Sequence, residues 1–268
     1  MRVKVSPMTR PARPALKRFI FRGVRAYLEG LLARISAPCL RNFDVTLFNQ
    51  LIFALPALSR FIESTTELGF PVAKINFDQT FFSVSISNHW KEAKRDSSLY
   101  VQLSCKPFDW QVGSAAEICN ALWWMLPSVE ELAIDFHKHV VPPEWRNVVD
   151  STTWCDLLRP FKRVKKLQVC HALTLDLSRA LQPDEEQWGA DGGMPEGILF
   201  LSLPALQELV LEAGHDDNAF KAFIDARQRM GCPIQLIGRP IPSIQVPEPP
   251  INRRRKNWFQ RRVWDYEK

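Results

Sequence analysis

The chain has 268 residues, 46% hydrophobic and 24% charged, with 11 glycines and 20 prolines. This composition excludes a mainly disordered, collagen-like or low-complexity chain, and the length suffices for one large domain or two small ones around a sizeable core. The net charge of +6 sits at the ends: residues 1–25 hold eight basic side chains and no acid, residues 252–268 hold seven basic and two acidic, and the 226 residues between them are net acidic. A nucleic-acid reader more often carries its basic stripe on the folded body, so the pI of about 9.1 is weak evidence for one.

Met1–Leu28 is arginine-rich and free of acid, as a transit peptide would be. Serine is scarce there, however, and Pro7, Pro11 and Pro14 break any long amphipathic helix. Residues 1–11 are therefore read as a basic arm.

From Pro14 onward a short phrase recurs, apolar-x-x-apolar-x-apolar after a proline or loop residue. Its copies are Leu16/Phe19/Phe21, Leu40/Phe43/Val45, Val72/Ile75/Phe77, Val129/Leu132/Ile134, Val164/Leu167/Val169 and Leu206/Leu209/Leu211. The first residues are spaced by 24, 32, 57, 35 and 42 positions, and a degenerate copy, Leu99/Val101/Leu103, divides the longest gap. A last weak strand is expected over Pro233–Ile237. The closing apolar-x-apolar places two large side chains on one face of a strand, and the residue three positions earlier enters the same core from the preceding turn.

Between copies the apolar spacing is helical. The segments are Val45–Leu68, which Pro56 should bend or divide, then Ala115–Leu126, Thr152–Phe161, Leu173–Leu181 and Asn218–Met230, with Phe220, Phe223 and Ile224 inward. Strand alternating with helix predicts a parallel sheet. A doubly wound sheet would show a glycine-rich turn and strands apolar on both faces. Here Arg18, Asn42, Lys74, Glu131, Lys166 and Glu208 occupy equivalent outward positions, so the strands are one-sided. The expected fold is α/β: a leucine-rich-repeat-like solenoid over residues 12–238, with a curved parallel sheet of about seven or eight strands and helices on its convex face. Residues 239–268 form a tail outside the repeat.

The segments Phe21–Pro38, Phe48–Phe53, Trp145–Asp150, Trp154–Phe161 and Leu203–Leu209 resemble the leucine-rich-repeat half of fungal F-box-type proteins. The resemblance implies a substrate receptor whose repeats hold a target protein while an F-box docks a ubiquitin-ligase scaffold. The first repeat strand begins near Leu16, which leaves no room for that helical module. The expectation is a repeat domain without it.

No phosphate-binding glycine loop, nucleophile elbow or zinc-protease motif occurs, and neither catalytic residues, a cofactor nor a metal is assigned. His137 and His139 read as a solvated pair. Cys170 and His171 are adjacent on a strand and point to opposite faces, a poor arrangement for a nucleophile and its base. Asp184–Glu186 lies in a proline- and glycine-containing loop, read as a solvated insertion. Trp123, Trp124, Trp145 and Trp154 read as helix-to-sheet packing.

The six cysteines are dispersed with no CxxC pair, no Asn-x-Ser/Thr sequon occurs, and apolar stretches such as Leu51–Leu58 fall far short of the ~20 residues of a membrane span. These features fit a soluble cytoplasmic or nuclear protein. Two functions from different classes remain. One is a non-catalytic protein-binding module using the row Arg18, Asn42, Lys74, Glu131, Lys166 and Glu208, although such a row could equally be a ladder of cross-strand ion pairs. The other is association with nucleic acid or a membrane surface through Arg253, Arg254, Arg255, Lys256, Arg261 and Arg262, which interleave with Trp258, Phe259 and Trp264. That tail, after Pro240–Pro250, is either free or folded back as an end cap.

Overall fold

The recurring phrase forms strands. A computed structural model describes residues 15–48, 55–65, 70–89, 98–136, 149–182, 202–212 and 218–239. Strands β1 (Arg18–Gly23), β2 (Asn42–Leu47), β3 (Val72–Phe77), β4 (Phe81–Ser87), β5 (Ser98–Ser104), β6 (Glu131–Phe136), β7 (Lys166–Val169), β8 (Glu208–Glu212) and β9 (Gln235–Arg239) build one open sheet. Helices α1 (Arg25–Leu32), α2 (Pro56–Glu63), α3 (Phe108–Ala121), α4 (Ser151–Leu158), α5 (Thr174–Leu181) and α6 (Lys221–Arg229) lie in the connections.

The protein is α/β with a mostly parallel sheet, but strand order departs from the expected repeat order at the centre. The order is β1-β2-β5-β4-β3-β6-β7-β8-β9. All eight strands carrying the phrase or its weak copies share one direction, and the unforeseen ninth, β4, is antiparallel to both neighbours. The reason is local. Only Asp78, Gln79 and Thr80 separate β3 from β4, and the Asp78 amide donates to the Phe81 carbonyl at 2.8 Å. A connection that short permits only a hairpin, because a parallel crossover needs a dozen residues or more.

β3 also sits two residues away from the register expected from its phrase. Val72, not Lys74, lies opposite Glu131, and Ala73 lies opposite Leu132. Phe70, buried at 3% exposure, therefore takes the place assigned to Val72. A slip of two preserves the face, so Lys74 still points outward, one row further along.

The regular units share one hydrogen-bonding device. The carbonyl just before β1, β3, β6 and β7 accepts two successive amides from the neighbouring strand's lead-in: Lys17 from Arg41 and Asn42, Pro71 from Glu130 and Glu131, Glu130 from Lys165 and Lys166, and Lys165 from Gln207 and Glu208, all at 2.8–3.1 Å. Inward residues Phe43, Phe77, Leu132, Leu167 and Leu209 are fully buried. Each such burial contributes roughly 1.5–3 kcal/mol. They join the buried faces of the helices in one core running from Phe19 to Ile234.

Helix ends follow local chemistry. Pro56 starts α2 rather than kinking a longer helix, since the first helical position needs no amide donor. Val45–Leu47 belongs to β2, correcting a helix expected from Val45. α3 begins seven residues before the expected Ala115, and Leu126 falls in a short 3-10 turn, Leu126–Ser128. Asp150 caps α4, accepting from the Thr152 amide at 3.2 Å. Gly231, at φ +73°, closes α6 and turns the chain toward β9.

Every parallel crossover advances the same way along the sheet, and the two backward steps are antiparallel connections. Crossovers of one hand and one direction put their helices on one face. Accordingly α1 to α5 neighbour one another in chain order and pack on the inward side. Among the described residues no helix covers the other face.

Candidate functional site: the open face of the sheet

Three rows of side chains make up this face, and the register fixes their members. The first runs Arg18, Asn42, then β5, then Ser87, Val72, Glu131, Lys166, Glu208 and Gln235. The second runs Ile20, Asp44, Tyr100, Ser85, Lys74, Ala133, Gln168, Val210 and Ile237. The third includes Arg22, Thr46, Gln102, Ser83, Asn76 and Asp135, with Glu212 beyond.

Five of the six sequence-predicted face residues thus share a row, and Lys74 lies in the next. They do not form one continuous polar line. Arg18 and Asn42 are separated from Glu131, Lys166 and Glu208 by the β5-β4-β3 meander, where Ser87 and Val72 are buried.

The ion-pair ladder is present in part. Lys166 Nζ lies 3.6 Å from Glu208 Oε2, and Lys74 Nζ lies 2.8 Å from Asp135 Oδ2 rather than against Glu131. Their side chains are 35–42% exposed, so each pair is worth at most about 1 kcal/mol. At the rim Glu130 receives Lys165 at 3.0 Å and Arg163 at 3.7 Å.

Charge changes sign across the face. Arg18 and Arg22 mark the β1 end, against the single carboxylate of Asp44 on β2. Serines 83, 85 and 87, Tyr100 and Gln102 make a neutral centre, in which the Tyr100 hydroxyl donates to Gln102 Oε1 at 2.8 Å. Burial raises the Tyr100 phenol above its ordinary pKa; a hydrogen bond from Ser83 opposes this and the Asp44 charge adds to it. Glu131, Asp135, Glu208 and Glu212 then outnumber Lys166 on β6–β8. The neutral centre was missed from sequence, although the alternation of Phe82, Val84 and Ile86 with serines announces a one-sided strand.

The remaining candidates separate clearly. Trp154 is fully buried, edge-on to Phe77 with ring centroids 5.9 Å apart, and Trp124 packs against the core, whereas Trp123 is exposed. Cys170 is buried, and burial followed by the nearby Asp135 charge pushes its thiol up to about 12, so it carries no thiolate at neutral pH. His171 beside it is exposed, its amide donating to Glu212 Oε2 at 3.4 Å. All six cysteines are free thiols. Among the described residues no three His, Cys, Asp or Glu side chains gather as metal ligands, and no helix is long and apolar enough to cross a membrane. His137, His139, Trp145, Asp184–Glu186 and the tail residues Arg253, Arg254, Arg255, Lys256, Arg261 and Arg262 lie outside the described residues.

Comparison of the chain with protein-family models, with curated proteins and with solved structures finds no match in any of the three.

Proposed function

We propose that this chain is a non-catalytic protein-binding module whose open sheet face takes a folded partner. One observation carries the reading: a nine-stranded sheet that, among the described residues, is covered by helices on one side only, with mixed charge on the other. Nine strands at ~4.8 Å spacing and ~18 Å length give a plane of roughly 700 Å², near the ~800 Å² per partner of a standard interface. Separated positive, neutral and negative zones suit orientation of a partner.

In this reading the domain is a leucine-rich-repeat-like solenoid in which one unit's single strand is replaced by the β3-β4-β5 meander. The support is the carbonyl that accepts two amides in successive units, together with helices in chain order. The resemblance to F-box-type receptors suggests a substrate-recognition surface. Six free thiols fit a reducing compartment, cytoplasm or nucleus.

A second reading rests on the two basic ends, which would associate with nucleic acid or an anionic membrane. Affinity purification from the protein's own cells separates the two. Partners lost from a Glu131→Lys/Glu208→Lys variant but kept after truncation beyond Arg239 support the open face. Partners lost on truncation, and released steeply between 50 and 200 mM salt, support the basic tail and overturn the face.

A further inference from the structure

A separate surface lies at the sheet's first edge. β1 is terminal in the strand order, so one side of its six-residue backbone lacks a strand partner among the described residues. No proline or bulge blunts it, and Ile20 on its open face is 51% exposed between Arg18 and Arg22. Neither arginine is paired with a carboxylate among the described residues. An uncovered strand edge of this kind is a template for another strand.

The neighbouring helix adds an apolar wall. On α1 the Glu29 carboxylate accepts from the Ala57 and Leu58 amides, at 2.8 and 3.0 Å, so this side of the helix faces α2. At about 100° per residue, Tyr27 and Leu31 lie roughly opposite Glu29. They point away from α2, on the β1 side, and are 75% and 40% exposed.

We propose that the β1 edge accepts an extended acidic segment of a partner protein, of pattern acid-x-apolar-x-acid, as a tenth strand. Its acids would meet Arg18 and Arg22, its middle residue Ile20, and its intervening apolar residues the side walled by Tyr27 and Leu31. Charge rules out the nearer occupants. Residues 1–14 bring Arg2, Lys4, Arg10 and Arg13 with no acid, and residues 252–268 are also basic. A second copy pairing antiparallel about Ile20 would set Arg18 against Arg22, and β9 of another copy would bring Arg239 to Arg22. The sheet already holds one strand of the required pattern: β8 presents Glu208, Val210 and Glu212 outward, with Glu208 beside Lys166 of its neighbour.

The probe is a fluorescent peptide of residues 207–213, titrated against the full chain. Binding is expected, weakened by at least about tenfold in Arg18→Glu/Arg22→Glu. It should return when both peptide glutamates become lysine, which also shows that the variant is folded. Should the double reversal unfold, Arg18→Gln/Arg22→Gln replaces it, with the same direction of loss. Methylating alternate peptide amides should abolish binding for one set and spare it for the other. Absence of binding, indifference to the arginines, or tolerance of both methylated sets overturns the proposal. The Glu131→Lys/Glu208→Lys variant should bind the peptide normally, so edge and open face can fail separately.

Discussion

From β6 to β9 each strand lies beside the next one in the chain; between β2 and β6 the chain overshoots, turns back twice, and overshoots again. Both regions turn large apolar side chains inward onto one helix layer. They differ in what joins the strands. A connection carrying a helix lets the next strand run parallel and further along the sheet, whereas the three-residue turn after β3 forces reversal. The meander is then held by side chains rather than by repetition. Gln111 on α3 donates to the carbonyls of Asp78 and Cys105 at 2.8 and 2.7 Å, clamping both ends of the reversal at once.

Four measurements would break or sharpen this contrast. The largest effect is expected at Phe77→Ala in the centre, where one ring meets Phe82, Phe108 and Trp154 and so joins the hairpin to two helices. Chemical denaturation should show a loss of roughly 3–5 kcal/mol. Leu167→Ala in the regular flank should cost about 3 kcal/mol, because Leu132 and Leu209 on either side can close part of the cavity. A smaller flank loss than centre loss, read from the same denaturant series, is the sharpest form of the comparison. Glu29→Ala tests the long crossover that overshoots. Its carboxylate caps the α2 amides from 28 residues away, and losing it should cost about 1 kcal/mol, with Glu29→Gln losing less. Smallest is the Lys166–Glu208 pair, for which a double-mutant cycle should return less than about 1 kcal/mol, falling further as salt rises.

The contrast also decides what the sequence makes legible. Seven strands are visible because a proline or turn residue and a following apolar pair recur with a helix between copies, and β5 because its weak copy divides the longest gap. β4 carries equal alternation but follows β3 after only three residues, so a search for the repeated unit passes over it. Phe70 and Val72 both fit the first apolar position of β3, and Pro71 between them favours the wrong one; tertiary packing selects Phe70. Of the open face, charged positions at its two ends are readable because they contrast with their apolar neighbours. Tyr100, Gln102 and the serines of β4 are not, since neutral residues in a strand give no such contrast.

Arg227 shows how much structural work falls outside any pattern. This buried guanidinium on α6 donates to the carbonyls of Leu203, Pro204 and Leu206, at 3.4, 3.1 and 2.8 Å, and Leu203 is held at φ +60°, a costly conformation for leucine.

The carbonyl that accepts two amides at the head of β1, β3, β6 and β7 has a consequence for how such a chain changes over time. What one unit asks of the next is the same at β6, β7 and β8: two adjacent amides, one inward leucine, and a helix to cover it. A duplicated or deleted unit in that stretch meets a neighbour with identical demands, so the chain can gain or lose width there by whole modules. Between β3, β4 and β5 there is no such exchange, since the clamp there joins three unique positions. Length variation among descendants of this gene should therefore accumulate between β6 and β9, while the three central strands are inherited as a block.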